Sequence, residues 1–404
     1  MGRRSRTNVE LVSAFGVPAR QMTFVERLDQ LARRGEAADV RKPACGVLSI
    51  VLALMALGFV LQVSHASTTL PLDVFQTEVK RLVIMRGGGL LLLLVAMWLG
   101  PRGFRPLIPA LTGLAVLALI AVYVPGFKSA INGARRWVTL PVIGGSFQPS
   151  EIARVLGVLW VAYTCDKLGE RVTDGRRGYL PMVGFGLLMF LLILGEPDLG
   201  GAMLFLLCFG STMAVGGARP AHVGMSMMAM LAFALAVGVS AFAYVRERFA
   251  VWLGDSINDQ VSRSVEAMAS GDMWGVGLAQ GGFRNTNLQY MQTDYAFSLV
   301  GEELGFAGML LVVGLWLGFT WFSFRLVVSV KDRFSALVVF GLLVSVAYQA
   351  MLHVQVVTGL APPKGMNLPF LSDGGTALVA SCLAVGLALG AARTGSFTGS
   401  GSHE

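Results

Sequence analysis

Four stretches of the chain combine ionisable side chains with glycine and proline between long apolar runs. They cover residues 132–154, 196–200, 292–305 and 358–375. An ionisable side chain inside an apolar run is costly unless it is paired or faces water, so such residues mark a functional site or a buried ion pair by default. These four stretches are therefore the first candidates for a site.

The first stretch contains two adjacent arginines and, further along, an acidic and a basic residue one helical turn apart. Arg135 and Arg136 carry guanidinium forks that bind phosphate or carboxylate, so we expect them to hold an anionic ligand. Ser150 stands where the N-cap of the next helix is expected, and Glu151 and Arg154 then share one face of that helix. The spacing of Glu151 and Arg154 predicts either an internal ion pair or a binding site.

The second and third stretches place carboxylates at the ends of apolar runs. Asp198 lies in a tight turn, Glu-Pro-Asp-Leu-Gly, where it either caps the following helix or contributes to a site. Asp294 ends a long polar loop, where a carboxylate is either a solvated helix cap or a general base facing a semi-dry cavity. Glu302 and Glu303 follow inside the next apolar run, and we expect them to need buried partners.

The fourth stretch contains two segments broken by proline and glycine shortly before the last apolar run. The segments are TGLAPPKG over residues 358–365 and LPFLSDGG over residues 368–375. This pattern favours a re-entrant loop that lines a cavity, with Lys364 available to hold an anion. A plain turn is the alternative.

The composition indicates the class of protein that holds these residues. Of 404 residues, 54% are hydrophobic and only 14% are charged, whereas a soluble domain carries roughly 45–50% apolar and about 25% charged residues. The mean hydropathy is +0.66. This composition excludes a soluble multidomain enzyme, a disordered chain and a disulfide scaffold, and it favours a polytopic membrane protein.

A membrane span needs about 20 mainly apolar residues, which predicts an all-α protein with about ten transmembrane helices. The predicted spans are 44–65, 82–100, 106–124, 150–165, 178–195, 199–216, 221–244, 303–325, 333–353 and 374–392. Nine basic residues precede the first span. The positive-inside rule and the even number of spans therefore predict that both termini are cytoplasmic. Because the excess positive charge lies beside a span, no nucleic-acid partner is expected.

The predicted organisation has three parts and one long loop. A basic cytoplasmic tail covers 1–43, a membrane domain covers 44–392, and a cytoplasmic tail covers 393–404. Between spans seven and eight lies an extracytoplasmic loop over 245–302, which ends just after Asp294. A loop longer than about 12–15 residues is usually functional or disordered. The mixture of charges, glycines and aromatic residues favours an ordered loop with short amphipathic helices.

Taken in order, the charged stretches resemble one known family. They are similar to motifs of the SEDS (shape, elongation, division and sporulation) family, which includes the FtsW, RodA and SpoVE types. The matching stretches are GARRW, FQPSEIAR, EPDLGG, QTDYAFSLVGEELGF and TGLAPPKGMNLPFLSDGG. Each motif alone is weak, but the ordered set is specific, and the Pro-Lys-Gly run is more like the division type. The resemblance implies a peptidoglycan glycosyltransferase that polymerises lipid II at the outer face of the bacterial cytoplasmic membrane during cell division. It also implies a class B penicillin-binding protein transpeptidase and other division or elongation proteins as partners.

The resemblance also implies roles for individual residues. Asp294 would be the catalytic aspartate. The implied substrate-binding residues are Arg135, Arg136, Gln148, Glu151, Arg154, Lys364 and Ser372, and the supporting residues are Asp198, Glu302, Glu303, Gly374 and Gly375. A divalent cation, Mg²⁺ or Mn²⁺, is left open as a cofactor.

Three residues near the implied site depart from the family pattern. Gln292 replaces a histidine, Asp373 replaces a tyrosine, and His353 stands where asparagine is common. The loop before Asp294 is also shorter than usual. Two other functions therefore stay open, a lipid II flippase and a catalytically weakened scaffold of the division or elongation complex.

Overall fold

The computed structural model describes residues 40–124, 128–131, 134–140, 145–196, 198–241, 243–254, 259–283, 288 and 290–395. Most of residues 1–43 and of 393–404, the two predicted tails, lie outside these ranges. The described helices are α1 (Arg41–Thr69), α2 (Leu72–Phe104), α3 (Ile108–Ala121), α4 (Pro149–Leu168), α5 (Leu180–Gly195), α6 (Leu199–Val215), α7 (Pro220–Ala241), α8 (Ala243–Trp252), α9 (Asp259–Ser270), α10 (Ala296–Ser329), α11 (Arg333–Val357) and α12 (Gly375–Gly395). Short helical turns cover Arg105–Leu107, Gly169–Thr173 and Gly175–Tyr179.

The helices confirm the predicted all-α membrane architecture. Within the described residues, seven helical segments are long and apolar enough to cross a membrane. One of them, Leu72–Ala121, has 50 residues and contains the predicted span 82–100 and most of the predicted span 106–124. The predicted spans at 199–216 and 150–165 correspond to α6, an apolar helix of 17 residues, and to α4, a largely buried helix of 20 residues. Every predicted span therefore has a helix.

The helices pack around α4 and α11. α4 contacts α3, α6 and α11, while α12 lies along α2, and α10 lies between α1 and α11. Small residues allow α2 and α12 to approach closely, since a Cβ on Gly386 would lie 2.8 Å from Cβ of Ala96. Such small-residue contacts are typical of helix packing in membranes, where van der Waals contact replaces the hydrophobic effect as the driving force.

A small β-sheet interrupts the helical pattern between α3 and α4, which the sequence analysis did not predict. Its strands are β1 (Lys128–Ile131), β2 (Ala134–Leu140) and β3 (Gly145–Phe147). They form an antiparallel sheet in the order β1-β2-β3. The residues between β1 and β2 are Asn132 and Gly133, a dipeptide that is a strong sequence signal for a hairpin.

The predicted loop over 245–302 contains ordered helices. α8 covers Ala243–Trp252 and α9 covers Asp259–Ser270, and α9 packs against α10. α8 is tied to the segment between α11 and α12 because Nη1 of Arg248 donates to the carbonyl of Pro363 at 2.9 Å. The prediction of short helices in this loop is confirmed for the described residues, and the side of the membrane on which it lies stays a prediction.

α10 is kinked at Gly305, and its backbone on both sides of the kink forms hydrogen bonds with the loop segment 272–277. Gly305 has φ 67° and ψ −165°, which no helical residue adopts. The carbonyls of Glu302 and Glu303 accept from the N–H groups of Val276 and Gly277 at 3.0 and 3.1 Å. On the other side of the kink, the N–H of Phe306 donates to the carbonyl of Asp272 at 2.8 Å. The loop segment 272–277 therefore satisfies backbone groups that the broken helix leaves open.

We expect Gly305→Ala to destabilise the protein. A positive φ at a non-glycine residue costs about 1–3 kcal/mol, and the added Cβ would lie 2.7 Å from the carbonyl carbon of Met273. Thermal unfolding in detergent should show a lower Tm for this variant. Gly314→Ala in the same helix is the matched control, because a Cβ there meets no atom within 4 Å. Equal Tm values for the two variants would contradict the assigned role of Gly305.

Candidate active site

Asp294 lies on a tight turn immediately before α10. The N–H groups of Thr293 and Asp294 both donate to the carbonyl of Tyr290, at 3.0 and 2.9 Å. α10 begins at Ala296 with Tyr295 at the N-cap position. Asp294 is thus not at the N-cap position of α10, and its role as a general base stays a prediction. Its carboxylate lies against the backbone of Gly365, where a Cβ would come within 2.6 Å of Oδ2.

Lys364, the residue before Gly365, carries a positive charge that lies near Asp198. Its side chain is only 15% exposed, and Nζ lies 3.9 Å from Oδ1 of Asp198. The aliphatic part of the lysine packs on Gly200, which has no side chain to obstruct it. The dipeptide Lys364-Gly365 therefore lies between two carboxylates, those of Asp294 and Asp198.

Asp198 is both a helix cap and a member of this cluster. Its Oδ1 accepts from the N–H of Gly201 at 2.9 Å and so caps α6, as one of the two predictions had it. Nε2 of Gln148 lies 3.4 Å from Oδ2 of Asp198 and 3.1 Å from Oγ of Ser150. Gln148, not Ser150, occupies the N-cap position of α4. The predicted cap at Ser150 is therefore wrong, because proline at position 149 already begins the helix.

Glu151 and Arg154 form an internal ion pair. Nη2 of Arg154 donates to Oε2 of Glu151 at 2.7 Å and to Oε1 of Gln349 at 2.7 Å. Nη1 donates to the carbonyl of Ser345 at 3.2 Å, and Nε2 of Gln349 donates to the carbonyl of Asn367 at 3.2 Å. The Arg154 side chain is 4% exposed. Of the two predicted alternatives, the structure has the ion pair, which joins α4 to α11 and to the segment that carries Lys364.

The segment between α11 and α12 has no regular secondary structure, and its residues 368–372 are buried. The re-entrant loop stays a prediction. Oγ of Ser372 accepts from the N–H of Leu368 at 2.8 Å and donates to the carbonyl of Thr293 at 2.7 Å. Ser372 therefore fastens this segment to the turn that carries Asp294. Gly374 lies against the side chain of Asn367, and Gly375 is the first residue of α12.

Glu302 and Glu303 are buried and have the partners that the sequence led us to expect. Oε1 of Glu302 accepts from the N–H of Phe283 at 2.8 Å. Oγ of Ser64 donates to Glu303 at 2.8 Å and itself accepts from the N–H of Ala279 at 2.7 Å. These two glutamates anchor the loop after α9 to α1 and α10.

Comparison with known proteins identifies the family. The family model described as cell cycle protein, which covers FtsW, RodA and SpoVE, matches residues 45–396. The chain belongs to this family. A protein of Trichlorobacter lovleyi named probable peptidoglycan glycosyltransferase FtsW is 30% identical over 351 residues, which cover 85% of this chain and 91% of the relative. Stage V sporulation protein E of Bacillus subtilis is 30% identical over 321 residues, which cover 78% of this chain and 86% of the relative.

Solved structures of the FtsW/RodA/SpoVE family have the same fold. A chain from a structure titled structural coordination of polymerization and crosslinking by a peptidoglycan synthase complex matches with a TM-score of 0.70 at 28% identity. The match covers 86% of this chain and 97% of that chain. Rod shape determining protein RodA of Thermus thermophilus matches with a TM-score of 0.63 at 25% identity, over 87% of this chain and 96% of that chain.

The three departures from the family pattern all take part in contacts. The carbonyl of Gln292 accepts from Nε2 of Gln62 at 2.9 Å and from the N–H of Asp373 at 3.0 Å. The carboxylate of Asp373 pairs with the guanidinium of Arg81 on α2. His353 is buried, and its Nδ1 lies 2.6 Å from the carbonyl of Met366. Each departure thus contacts the Asp294 turn or the segment that carries Lys364.

Arg81 and Arg86 are residues near the site that the sequence analysis missed. Arg86 is 8% exposed, and Nη1 donates to the carbonyls of Met55 and Phe370 at 3.0 and 2.8 Å. The sequence carries a signal for Arg86, because a lone arginine inside the apolar run 82–100 is as unusual at membrane depth as Glu302 and Glu303 are in theirs. Arg81 lies before that run and gives no such signal.

The remaining predicted residues, Arg135 and Arg136, lie on β2, and their side chains are outside the described part of the structure.

Tyr295 is the residue after the catalytic candidate, and burial together with the charge of Asp294 raises its pKa to about 12. The phenol is therefore neutral at physiological pH and can only donate or accept a hydrogen bond.

Among the described residues, no group of three or more His, Cys, Asp and Glu side chains could hold a metal ion. A divalent cation as a cofactor stays an open prediction.

Proposed function

We propose that this protein is a peptidoglycan glycosyltransferase that polymerises lipid II at the outer face of the bacterial cytoplasmic membrane during cell division. The observation that carries the proposal is the packing of the Asp294 carboxylate against Gly365, the residue next to the largely buried Lys364, in a membrane protein of the FtsW/RodA/SpoVE family. The carboxylate suits a proton acceptor, and the ammonium group suits a pyrophosphate leaving group.

The reaction needs a base for the acceptor and positive charge for the leaving group. Asp294 takes the proton from the 4-hydroxyl of the acceptor sugar, and that oxygen forms a bond to the anomeric carbon of the donor. The bond from the anomeric carbon to the pyrophosphate oxygen breaks, and undecaprenyl pyrophosphate leaves. Lys364, together with Arg135 and Arg136, stabilises the negative charge on the departing pyrophosphate.

The neighbouring polar residues hold these groups in place. Asp198 orients Lys364, and Gln148 hydrogen-bonds Asp198 from the start of α4. The Glu151–Arg154 pair fixes the segment that carries Lys364 through Gln349 and the Asn367 carbonyl. Preorganisation of this kind aligns the reacting atoms and reduces the entropic part of the barrier.

A class B penicillin-binding protein is the proposed partner, which crosslinks the glycan as it is made. A similar chain occurs in a structure titled as a peptidoglycan synthase complex that coordinates polymerisation and crosslinking. Orientation with both termini in the cytoplasm, which the basic N-terminal tail supports, puts the Asp294 turn on the outer side. That is the side where a lipid-linked disaccharide meets the growing strand.

The test is a comparison of two activities of the purified protein. With its cognate penicillin-binding protein and lipid II, the wild type should make long glycan strands, visible on a gel after the stem peptides are labelled. In proteoliposomes without an acceptor strand, a headgroup reporter should show no transbilayer movement of lipid II above that of empty vesicles. Flipping without glycan product would favour a transporter, and neither activity would favour a scaffold.

A further inference from the structure

Two arginines of α2 hold the short segment that ends before α12. Nη1 of Arg86 donates to the carbonyl of Phe370 at 2.8 Å, and Nη2 lies 3.3 Å from the carbonyl of Leu371. Five residues earlier on α2, Arg81 pairs with the carboxylate of Asp373. Residues 370–373 are therefore tied to α2 by a buried arginine and by an ion pair.

The same segment holds the turn that carries Asp294. The N–H of Asp373 donates to the carbonyl of Gln292 at 3.0 Å, and Oγ of Ser372 donates to the carbonyl of Thr293 at 2.7 Å. Asp294 is the next residue along the chain. A continuous series of contacts thus runs from the guanidinium of Arg81 through Asp373 and Gln292 to the Asp294 turn.

The charges around the Arg81–Asp373 pair indicate that it has a structural role and is not an ordinary surface ion pair. The Asp373 side chain is 15% exposed, and Arg81 also donates to both carboxylate oxygens of Glu78, at 3.0 and 2.5 Å. Two carboxylates therefore share one guanidinium, which fixes its orientation. Removal of the arginine would leave a mostly buried carboxylate without this cation, so Asp373 would turn towards water and strain its backbone bond to Gln292.

We propose that Arg81 and Asp373 are a positioning pair that holds the turn carrying Asp294 in the geometry needed for proton transfer. The catalytic part of this inference rests on the proposed function. Asp373, which the resemblance to the family marks as a departure from tyrosine, supplies the negative charge that pairs with Arg81. Since a base acts only when it is correctly placed, the pair acts on the rate of the chemical step and not on substrate binding.

The experiment combines hydrogen exchange with kinetics on the full-length protein in nanodiscs. In Asp373→Asn and Arg81→Gln, amide exchange over residues 290–295 should be several-fold faster than in the wild type. Polymerisation should lose about tenfold in kcat at unchanged KM for lipid II, as expected for a misplaced base. The charge swap Arg81→Asp with Asp373→Arg should restore both values most of the way.

A second ion pair of similar exposure gives the matched control. Arg105 and Asp166 pair at 2.6 Å, with side chains 42% and 18% exposed, against 41% and 15% for Arg81 and Asp373. Asp166→Asn should leave both the exchange of residues 290–295 and kcat unchanged.

Exchange of residues 290–295 decides the inference even in a preparation that makes no glycan. Unchanged exchange in Asp373→Asn would overturn it, whereas faster exchange that the charge swap reverses would support it. Faster exchange with full kcat would overturn the link to Asp294. The wild type could also make no glycan while the two variants still show faster exchange. That result would count against the proposed function alone and not against the positioning pair.

Discussion

Asp294→Asn is expected to reduce lipid II polymerisation by about 10²–10⁴-fold, the factor that a positioned general base contributes. Asparagine has nearly the same shape, so it fits against Gly365, but it cannot accept the proton of the acceptor hydroxyl. The rate should be measured from glycan product over time with saturating lipid II and the partner transpeptidase. KM should change little, because the substitution removes an interaction used in the transition state.

Asp272→Asn is the matched control for this variant. Asp272 lies in the same long loop, is exposed, and has φ 46°, a backbone conformation that asparagine tolerates well. It should keep full activity, and both variants should unfold at the wild-type temperature. Glycan synthesis by Asp294→Asn at the rate of Asp272→Asn would remove Asp294 from the proposed mechanism.

Lys364→Met is expected to cost about 10²–10³-fold in kcat, comparable to the loss of one group that stabilises charge in a transition state. Methionine keeps much of the aliphatic chain that packs on Gly200 but removes the ammonium group. Lys364→Arg should keep part of the activity, because it retains the charge in a less suitable shape. Lys331→Met is the control, since Lys331 is an exposed lysine between α10 and α11.

A second variant distinguishes two possible roles of Lys364, which are stabilisation of the leaving pyrophosphate and neutralisation of Asp198. Lys364→Met also leaves Asp198, only 5% exposed, without a cation that lies 3.9 Å away in the wild type. The double variant Lys364→Met with Asp198→Asn removes that problem. If the double variant recovers wild-type kcat, Lys364 serves only to neutralise Asp198, and its role towards pyrophosphate is wrong. If it stays as slow as the single variant, the ammonium acts on the substrate.

The membrane architecture could be predicted because apolar runs of span length carry their own signal. Each predicted span has a helix, although the boundaries differ by several residues at some ends. α10 begins at Ala296, seven residues before the predicted span 303–325, because its first turns pack against the loop and contain two buried glutamates. A hydropathy window misses such a helix start, because the charged glutamates lower the mean hydropathy of the window even though they are paired inside the protein.

The candidate site could be predicted as a set of residues but not as a geometry. Nothing in the sequence indicates that Asp294 packs against Gly365, 71 positions further along the chain. That packing is supported by contacts such as the bond from the Ser372 hydroxyl to the carbonyl of Thr293, which any residue with a hydroxyl could make. The misses have similar causes. The sequence signal of the β-sheet is the Asn132-Gly133 dipeptide, which a search for apolar spans passes over, and Arg81 resembles any charged residue just before an apolar run.

The kink of α10 also constrains how proteins of this family can be recombined. The four backbone bonds between residues 272–277 and 302–307 pair a loop with a transmembrane helix, and two of them fall on each side of Gly305. A chimaera that exchanges the loop alone, or the helix alone, would have to match this register with a foreign sequence. Segment exchanges should therefore have their junctions before residue 271 and after residue 308, so that loop and kink are inherited as one unit.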